Sequence, residues 1–265
     1  MHVQQYDPVE LTDQHWHLVA PLFPDPLRRT DGKGRPRTPN RPILDAVLCI
    51  LRTGAPWKDL PDRYPPRSTC HRRFQEWVPA GVLDRALGRL YELLADQGHF
   101  DLSEAYIDAT FASSKKGALT FGKTKRGKGT KIMAVTDANC LPIAVHVASA
   151  TPHEVTLVHD ALDATFGFDL PRRLICDQAY DSDILDAELA QLGIEMIALN
   201  RKNRRQSQDG RPLRRYKRRW RVERLFAWLH NFRRLVVRWE RHVENFLGMV
   251  QLGMLVILIR AAEQE

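Results

Sequence analysis

The chain has 265 residues, enough to bury one good core and a smaller second one. Lys and Arg number 40 against 32 Asp and Glu, a net charge of +8 with a pI near 9.5, which points to an acidic partner, nucleic acid before anionic membrane. Four scattered cysteines, Cys49, Cys70, Cys140 and Cys176, form no CxxC pair, which argues for a reducing compartment and against a zinc site.

Residues 11–98 read as helices only. LTDQHWHLVAPLF opens with Thr12 as an expected N-cap and stops at Pro24, and RPILDAVLCILRTG starts near Pro42 and ends at Gly54 as a C-cap. Between them, DPLRRTDGKGRPRTPNRP (25–42) has the Pro, Gly and Arg content of a flexible basic segment. A turn, APWKDLPDRYPP, leads to Ser68 and the helix TCHRRFQEWV, and GVLDRALGRLYELLADQG makes the last helix of the group. A helix, a turn and a second helix bearing Arg72 and Arg73 fit a helix-turn-helix-like reader, with those two arginines as DNA-binding candidates.

From residue 101 the pattern changes to strands. SEAYIDATFA, TKIMAVTDAN and LPIAVHVASA are three short apolar segments, the last two joined at DANC by a hairpin turn. TPHEVTLVHDALDATF then begins with Thr151 and Glu154 at capping-box spacing, so Glu154 is expected to cap a helix rather than to act in chemistry. RRLICDQAY is a strand, DSDILDAELAQLG a helix and EMIALN a fifth strand. The order predicts an α+β protein in which a helical region, 1–98, precedes a mixed sheet covered by helices, 99–265. The apolar run FLGMVQLGMLVILI (246–259) is short for a membrane span and interrupted by Gln251, so a buried C-terminal helix is expected and no membrane partner.

Two basic runs hold most of the surplus charge. KKGALTFGKTKRGKGTK (115–131) offers Lys123, Lys125, Arg126 and Lys128, and 201–221 offers Arg214, Arg215, Lys217 and Arg218, all as phosphate contacts. The second run enters RRYKRRWRVERLFAWLHNFRR (214–234), whose Val222, Leu225, Phe226, Leu229 and Phe232 form a core-facing helical stripe. Tyr216, Arg219, Glu223 and His230 share the neighbouring arc, so Glu223 is an acid kept among cations.

Two other acids end or interrupt apolar strands: Asp108 in AYIDATF and Asp177 in RRLICDQAY. A charge there is costly unless it is paired or holds a metal. Two aspartates and a glutamate are hard oxygen ligands that suit Mg2+ or Mn2+, and two such ions about 4 Å apart would serve phosphodiester chemistry. Asp108, Asp177 and Glu223 are therefore the candidate catalytic and metal-binding residues. Asp137 reads as a turn former in the hairpin.

In order and context these acids resemble those of the DDE transposases of bacterial insertion sequences. Tyr216, Arg219 and Glu223 match the family's Tyr-x-x-Arg-x-x-x-Glu signature, with His230 at its final position where the family carries lysine. IDATFASSKKG, ICDQAYDS and the amino-terminal GAPWKDLPDRYPPRSTCHRRFQEW are also similar to blocks of that family, so the resemblance spans nearly the whole chain. It implies an RNase H-like domain, two Mg2+ or Mn2+ ions per active site, and DNA contacts by Tyr216, Arg219 and His230. It further implies binding to terminal inverted repeats and target DNA, cut-and-paste strand transfer by a homodimer, and a place in the bacterial cytoplasm with the nucleoid. The rivals are a derived DNA-binding protein without catalysis and an RNase H-like nuclease that cuts without joining.

Overall fold

The computed structural model describes residues 11–24, 31, 36–115, 117–199 and 213–263. Most of the expected flexible basic segment, and 201–212 of the second basic run, lie outside the described residues.

The helical region opens with α1 (Asp13–Val19), where Thr12 Oγ1 accepts from His15 N at 3.1 Å and His15 Nδ1 accepts from Thr12 N at 3.4 Å. α2 (Asn40–Thr53) ends where Gly54 turns left-handed at φ 70°, a conformation that favours glycine. A Cβ on Gly54 would also lie 3.0 Å from that of Arg233, so the chain's later part closes on this corner. α3 (Arg67–Trp77) follows after 54–66, a connection much longer than the tight turn of a helix-turn-helix pair. α4 (Val82–Asp96) completes the group.

The sheet contains β1 (Ala105–Ser114), β2 (Gly122–Thr124), β3 (Gly127–Asp137), β4 (Pro142–Ser149), β5 (Arg173–Ile175), β6 (Glu195–Ile197) and β7 (Val237–Arg238). Its principal order is β4-β3-β1-β5-β6, with β3 antiparallel to both neighbours and β1, β5 and β6 parallel. β2 extends the edge of β3, and β7 runs parallel to the end of β1. α5 (Val158–Asp163) and α6 (Asp183–Gln191) lie with one face of this mixed sheet; α7 (Trp220–His230), α8 (Arg233–Val236) and α9 (Val243–Ala261) lie with the other.

α9 carries the expected apolar run and is long and apolar enough to cross a membrane by composition alone, yet most of it is buried. It packs on α4, α2 and β4, so one core joins the helical region to the α7 face of the sheet. Gln251, the polar interruption, donates to Asp84 Oδ1 at 2.5 Å.

The structure departs from sequence expectation in three places. Glu154 begins a 3-10 turn, Glu154–Leu157, whose cap His153 makes no side-chain cap bond, and α5 starts later; Glu154 is instead ion-paired to Lys131 at 3.4 Å. Part of the first basic run folds into the β2–β3 hairpin. The second leads into a 3-10 helix, Leu213–Arg218, rather than a continuous α-helix.

Candidate active site

Alternate residues of a strand share a face, and on β1 that face carries Glu104 just before the strand, then Tyr106, Asp108 and Thr110. Each meets a residue from the 3-10 helix, a residue from α7, or Arg219 between them. Arg215 and Arg218 ion-pair with Glu104, and Arg221 donates to the Tyr106 hydroxyl at 3.1 Å. Arg219 donates to Asp108 Oδ2 at 2.6 Å, and Thr110 Oγ1 lies 3.4 Å from His230 Nε2. The strand thus reads the second basic segment in register and fixes how α7 lies on the sheet.

The 3-10 geometry explains the division of labour within that segment. At three residues per turn, side chains at i and i+3 eclipse. Arg215 and Arg218 fall on one ridge against buried Glu104, Tyr216 and Arg219 on a second toward the site, and Arg214 and Lys217 on an exposed third. An α-helix would have spread Arg215 and Arg218 by about 300°, that is, 60° apart.

Asp177 lies two residues past the end of β5. β1 and β5 are parallel with Tyr106 opposite Ile175, so Asp108 on β1 and Asp177 after β5 each stand two residues beyond that pair, and the Asp177 charge acts on Asp108. Adjacent strands lie about 4.8 Å apart, which keeps the two carboxylates in the same region of the sheet. Asp177 Oδ1 accepts from Ala179 N at 2.5 Å and caps the turn Gln178–Tyr180, so its backbone position is fixed. Glu223, about half exposed, accepts from Arg219 Nη2 at 2.8 Å. Arg219 therefore bridges Asp108 and Glu223.

Burial pushes the Asp108 carboxyl up to about 6; a bond from Ala109 N and the Arg219 charge oppose this, while the charges of Asp177 and Glu154 add to it. His230 is exposed overall, but loss of solvent around its ring lowers its pKa, so it is neutral near pH 7 and does not reproduce a lysine's charge.

The expected basic contacts divide in the same way. Lys123, Lys125, Arg126 and Lys128 are all exposed around the β2–β3 turn, with Lys128 over the Phe121 ring at 5.1 Å. β3 beyond this hairpin pairs with Phe111–Ser113, so the hairpin projects past Asp108. Arg72 is exposed on α3, with Glu76 3.8 Å away. Arg73, a DNA-binding candidate by sequence, is instead buried and donates to Asn40 Oδ1 at 2.7 Å and to the Thr38 carbonyl at 3.4 Å, which ties α3 to α2.

With this geometry in hand, comparison with known proteins is decisive. The family described as "Transposase DDE domain" matches residues 99–258, well over half of the chain. The chain belongs to the DDE transposases. The family described as "Putative transposase of IS4/5 family" matches residues 11–87. A "Putative transposase for insertion sequence element IS402" from Burkholderia cepacia is 34% identical over 147 residues, covering 51% of this chain and 67% of the relative. A "Putative transposase for insertion sequence element IS6501" from Brucella ovis is 30% identical over 131 residues, 49% of this chain and 98% of the relative. The piggyBac transposase, in a synaptic complex with hairpin DNA, aligns over 88% of this chain and 68% of that one, with a TM-score of 0.49 and 12% identity. The chain is accordingly an insertion-sequence transposase, an enzyme of the nuclease and transesterase class, with the RNase H-like fold expected of it.

DDE transposase domains depend on divalent metal ions. Among the described residues no three acidic, His or Cys side chains converge closely enough to ligate an ion in the present arrangement. The donors nevertheless fit. Asp108 on β1 and Asp177 just after the adjacent β5 are hard oxygen groups, and Arg219 already places a cationic group between Asp108 and Glu223.

Proposed function

We propose that Asp108, Asp177 and Glu223 hold two divalent cations, Mg2+ or Mn2+, and that the transposase uses them to cut its element's terminal inverted repeats and join them to target DNA. The observation that carries this is the bridge Asp108–Arg219–Glu223 beside Asp177: two carboxylates that already require a cation, next to a third. When bound, such ions activate the attacking oxygen and steady the leaving one.

The chain's own residues do the rest. Asp108 is held by β1 and Asp177 by the turn it caps after β5, and Glu223 reaches them from α7 as Arg219 releases it. Arg219 and Tyr216, on one ridge of the 3-10 helix, turn to the DNA backbone. His230, a neutral donor beside β1, contacts the strand without adding charge. Exposed Lys123, Lys125, Arg126, Lys128, Arg214 and Lys217 neutralise phosphates, and Arg72 on α3 faces the element end. Arg215 and Arg218 join those contacts only by leaving Glu104. The helical region, 1–98, and the sheet region, 99–265, act as end-binding and catalytic parts. Joining two ends calls for a homodimer, and the substrate puts the protein with the nucleoid in the bacterial cytoplasm.

The test is to incubate purified protein with labelled element ends, Mg2+ and a plasmid target. Nicks at the element end followed by joined products are expected. Nicks without joining would reduce the protein to a nuclease, and binding without nicks to a DNA-binding derivative.

A further inference from the structure

Tyr180 is fully buried at the end of the turn that Asp177 caps, and its hydroxyl has no hydrogen-bond partner among the described residues. A buried O–H without an acceptor costs about 1–3 kcal/mol, and a phenylalanine would fill the same space without that penalty. The hydroxyl's presence therefore asks what it faces.

The Tyr180 ring lies in the core cluster of the α5 face, with Ile107, Leu157 and Cys176. Leu157 closes the 3-10 turn that Glu154 opens, and this turn packs against Gln178–Tyr180. Glu154 is thus delivered to the Asp177 turn from the face of the sheet opposite α7. It is three-quarters buried, and its ion pair with Lys131 is loose at 3.4 Å, because Lys131 gives its short bond, 2.6 Å, to the Pro152 carbonyl. Lys131 stands opposite Phe111, three residues beyond Asp108 on β1. The electrostatics agree with this placement. After burial itself, Glu154 is the strongest influence on the Tyr180 hydroxyl, ahead of Asp108 and Asp177, and its charge is also felt at Asp108.

We propose that Glu154 and Tyr180 support the cation site from behind: Glu154 sets a further negative charge behind Asp108 and Asp177 without ligating the cation, and the Tyr180 hydroxyl is the donor that orients these carboxylates when the cation is bound. Lys131 holds Glu154 in the metal-free protein. The inference rests on the catalytic reading above and adds residues that the signature does not contain. Both are positioning residues, acting on the cation through the side chains that hold it. Such partners typically alter metal affinity by about 10–100-fold.

The test is Mn2+ binding to the full chain without DNA, measured by calorimetry or by the loss of the free-ion electron paramagnetic signal. E154Q preserves shape and removes charge, and Y180F removes only the hydroxyl. Each is expected to weaken Mn2+ affinity about tenfold, and E154D is expected to recover most of the loss. Circular dichroism and Tm identify a variant that fails to fold. D108N is the control for the site itself. Unchanged affinity in both E154Q and Y180F, with D108N impaired, overturns this inference and leaves the catalytic reading standing. Unchanged affinity in D108N as well overturns the catalytic reading, and this inference with it.

Discussion

Asp108 and Asp137 sit on paired strands, are both largely buried, and are both pushed up to about 6 by burial. Their partners differ. Asp137 closes the β3–β4 turn: its carboxylate accepts from Asn139 N at 2.9 Å, Leu141 N at 2.8 Å and Asp101 N at 2.8 Å. Among the described residues Asp108 has one backbone donor, Ala109 N at 2.8 Å, and otherwise the Arg219 side chain, with the charge of a second aspartate, Asp177, acting on it. Backbone donors cannot leave without unfolding the turn, whereas a guanidinium can rotate away. Burial marks both acids as unusual, and exchangeable partners distinguish the one available for chemistry.

The sharpest way to break this comparison is to neutralise each acid in turn. D108N should lower end cleavage by at least about a thousandfold, with Tm and end binding nearly unchanged. D137A should leave the cleavage rate per folded molecule intact but strand three backbone donors, costing about 3 kcal/mol and roughly 6–12 °C in Tm. Cleavage kinetics beside thermal melts decide the matter, and a stable, inactive D137A would erase the distinction.

Much of this was legible in the sequence because it depends on local rules. Thr12 before an acidic first turn, Gly54 after a helical run, and Asp177 just past the short apolar run 174–176 each carry their own signal. The α7 stripe appeared because Val222, Leu225, Phe226 and Leu229 recur at helical spacing. What escaped depends on distant partners. Capping-box spacing at Thr151 and Glu154 was a coincidence of sequence, overridden by Lys131 on β3. The run from Arg214 looks α-helical by periodicity, but Glu104, far away in the chain, gathers Arg215 and Arg218 onto one ridge. Arg73 resembles its neighbour Arg72 until the fold brings Asn40 to it. β2 and β7 are too short to announce themselves and form because longer strands supply an edge.

Arg219 offers the next largest effect. If its guanidinium is exchangeable, it competes with a divalent cation for Asp108 and Glu223. R219Q should then bind Mn2+ more tightly than wild type in the absence of DNA, by about tenfold if one unit of competing charge is removed, while cleaving poorly because its DNA contact is gone. Calorimetric titration gives the affinity. Weaker Mn2+ binding in R219Q would mean that the arginine orients the carboxylates and does not compete.

The same contrast between fixed and exchangeable partners orders the basic residues. Replacing exposed Arg214 and Lys217 by alanine should reduce the log-log salt slope of DNA binding by about 0.9 for each phosphate no longer neutralised, with Tm unchanged. Replacing Arg215 and Arg218 should instead leave buried Glu104 without its cations and depress Tm, since an uncompensated buried charge costs about 3–5 kcal/mol. Binding isotherms at several salt concentrations, with melts of each variant, separate the two pairs. Equal slopes and equal melting losses would show that the 3-10 ridges do not divide the work.

The smallest effect is a pH dependence that sharpens the comparison at Asp108 itself. Its folded-state pKa, about 6, lies above the ordinary value near 3.9. A raised pKa means that the folded protein holds the proton more tightly than the unfolded chain, so the stabilisation is fully present below about pH 4 and disappears as pH rises through about 6. In chelator, wild type should therefore lose stability between about pH 4 and 6, and D108N, which cannot titrate there, should lose less. The comparison must be between these two proteins, because Asp137 contributes in the same direction in both and His230, its pKa lowered, contributes in the opposite one. Adding Mn2+ should flatten the wild-type curve toward that of D108N, since a bound cation favours the ionised carboxylate and returns the Asp108 pKa toward its ordinary range. At Asp137 no such rescue is available, because its oxygens already face three backbone donors. Melting curves at half-unit pH steps, with and without Mn2+, would show it: a wild-type decline that Mn2+ leaves untouched would move the cation away from Asp108.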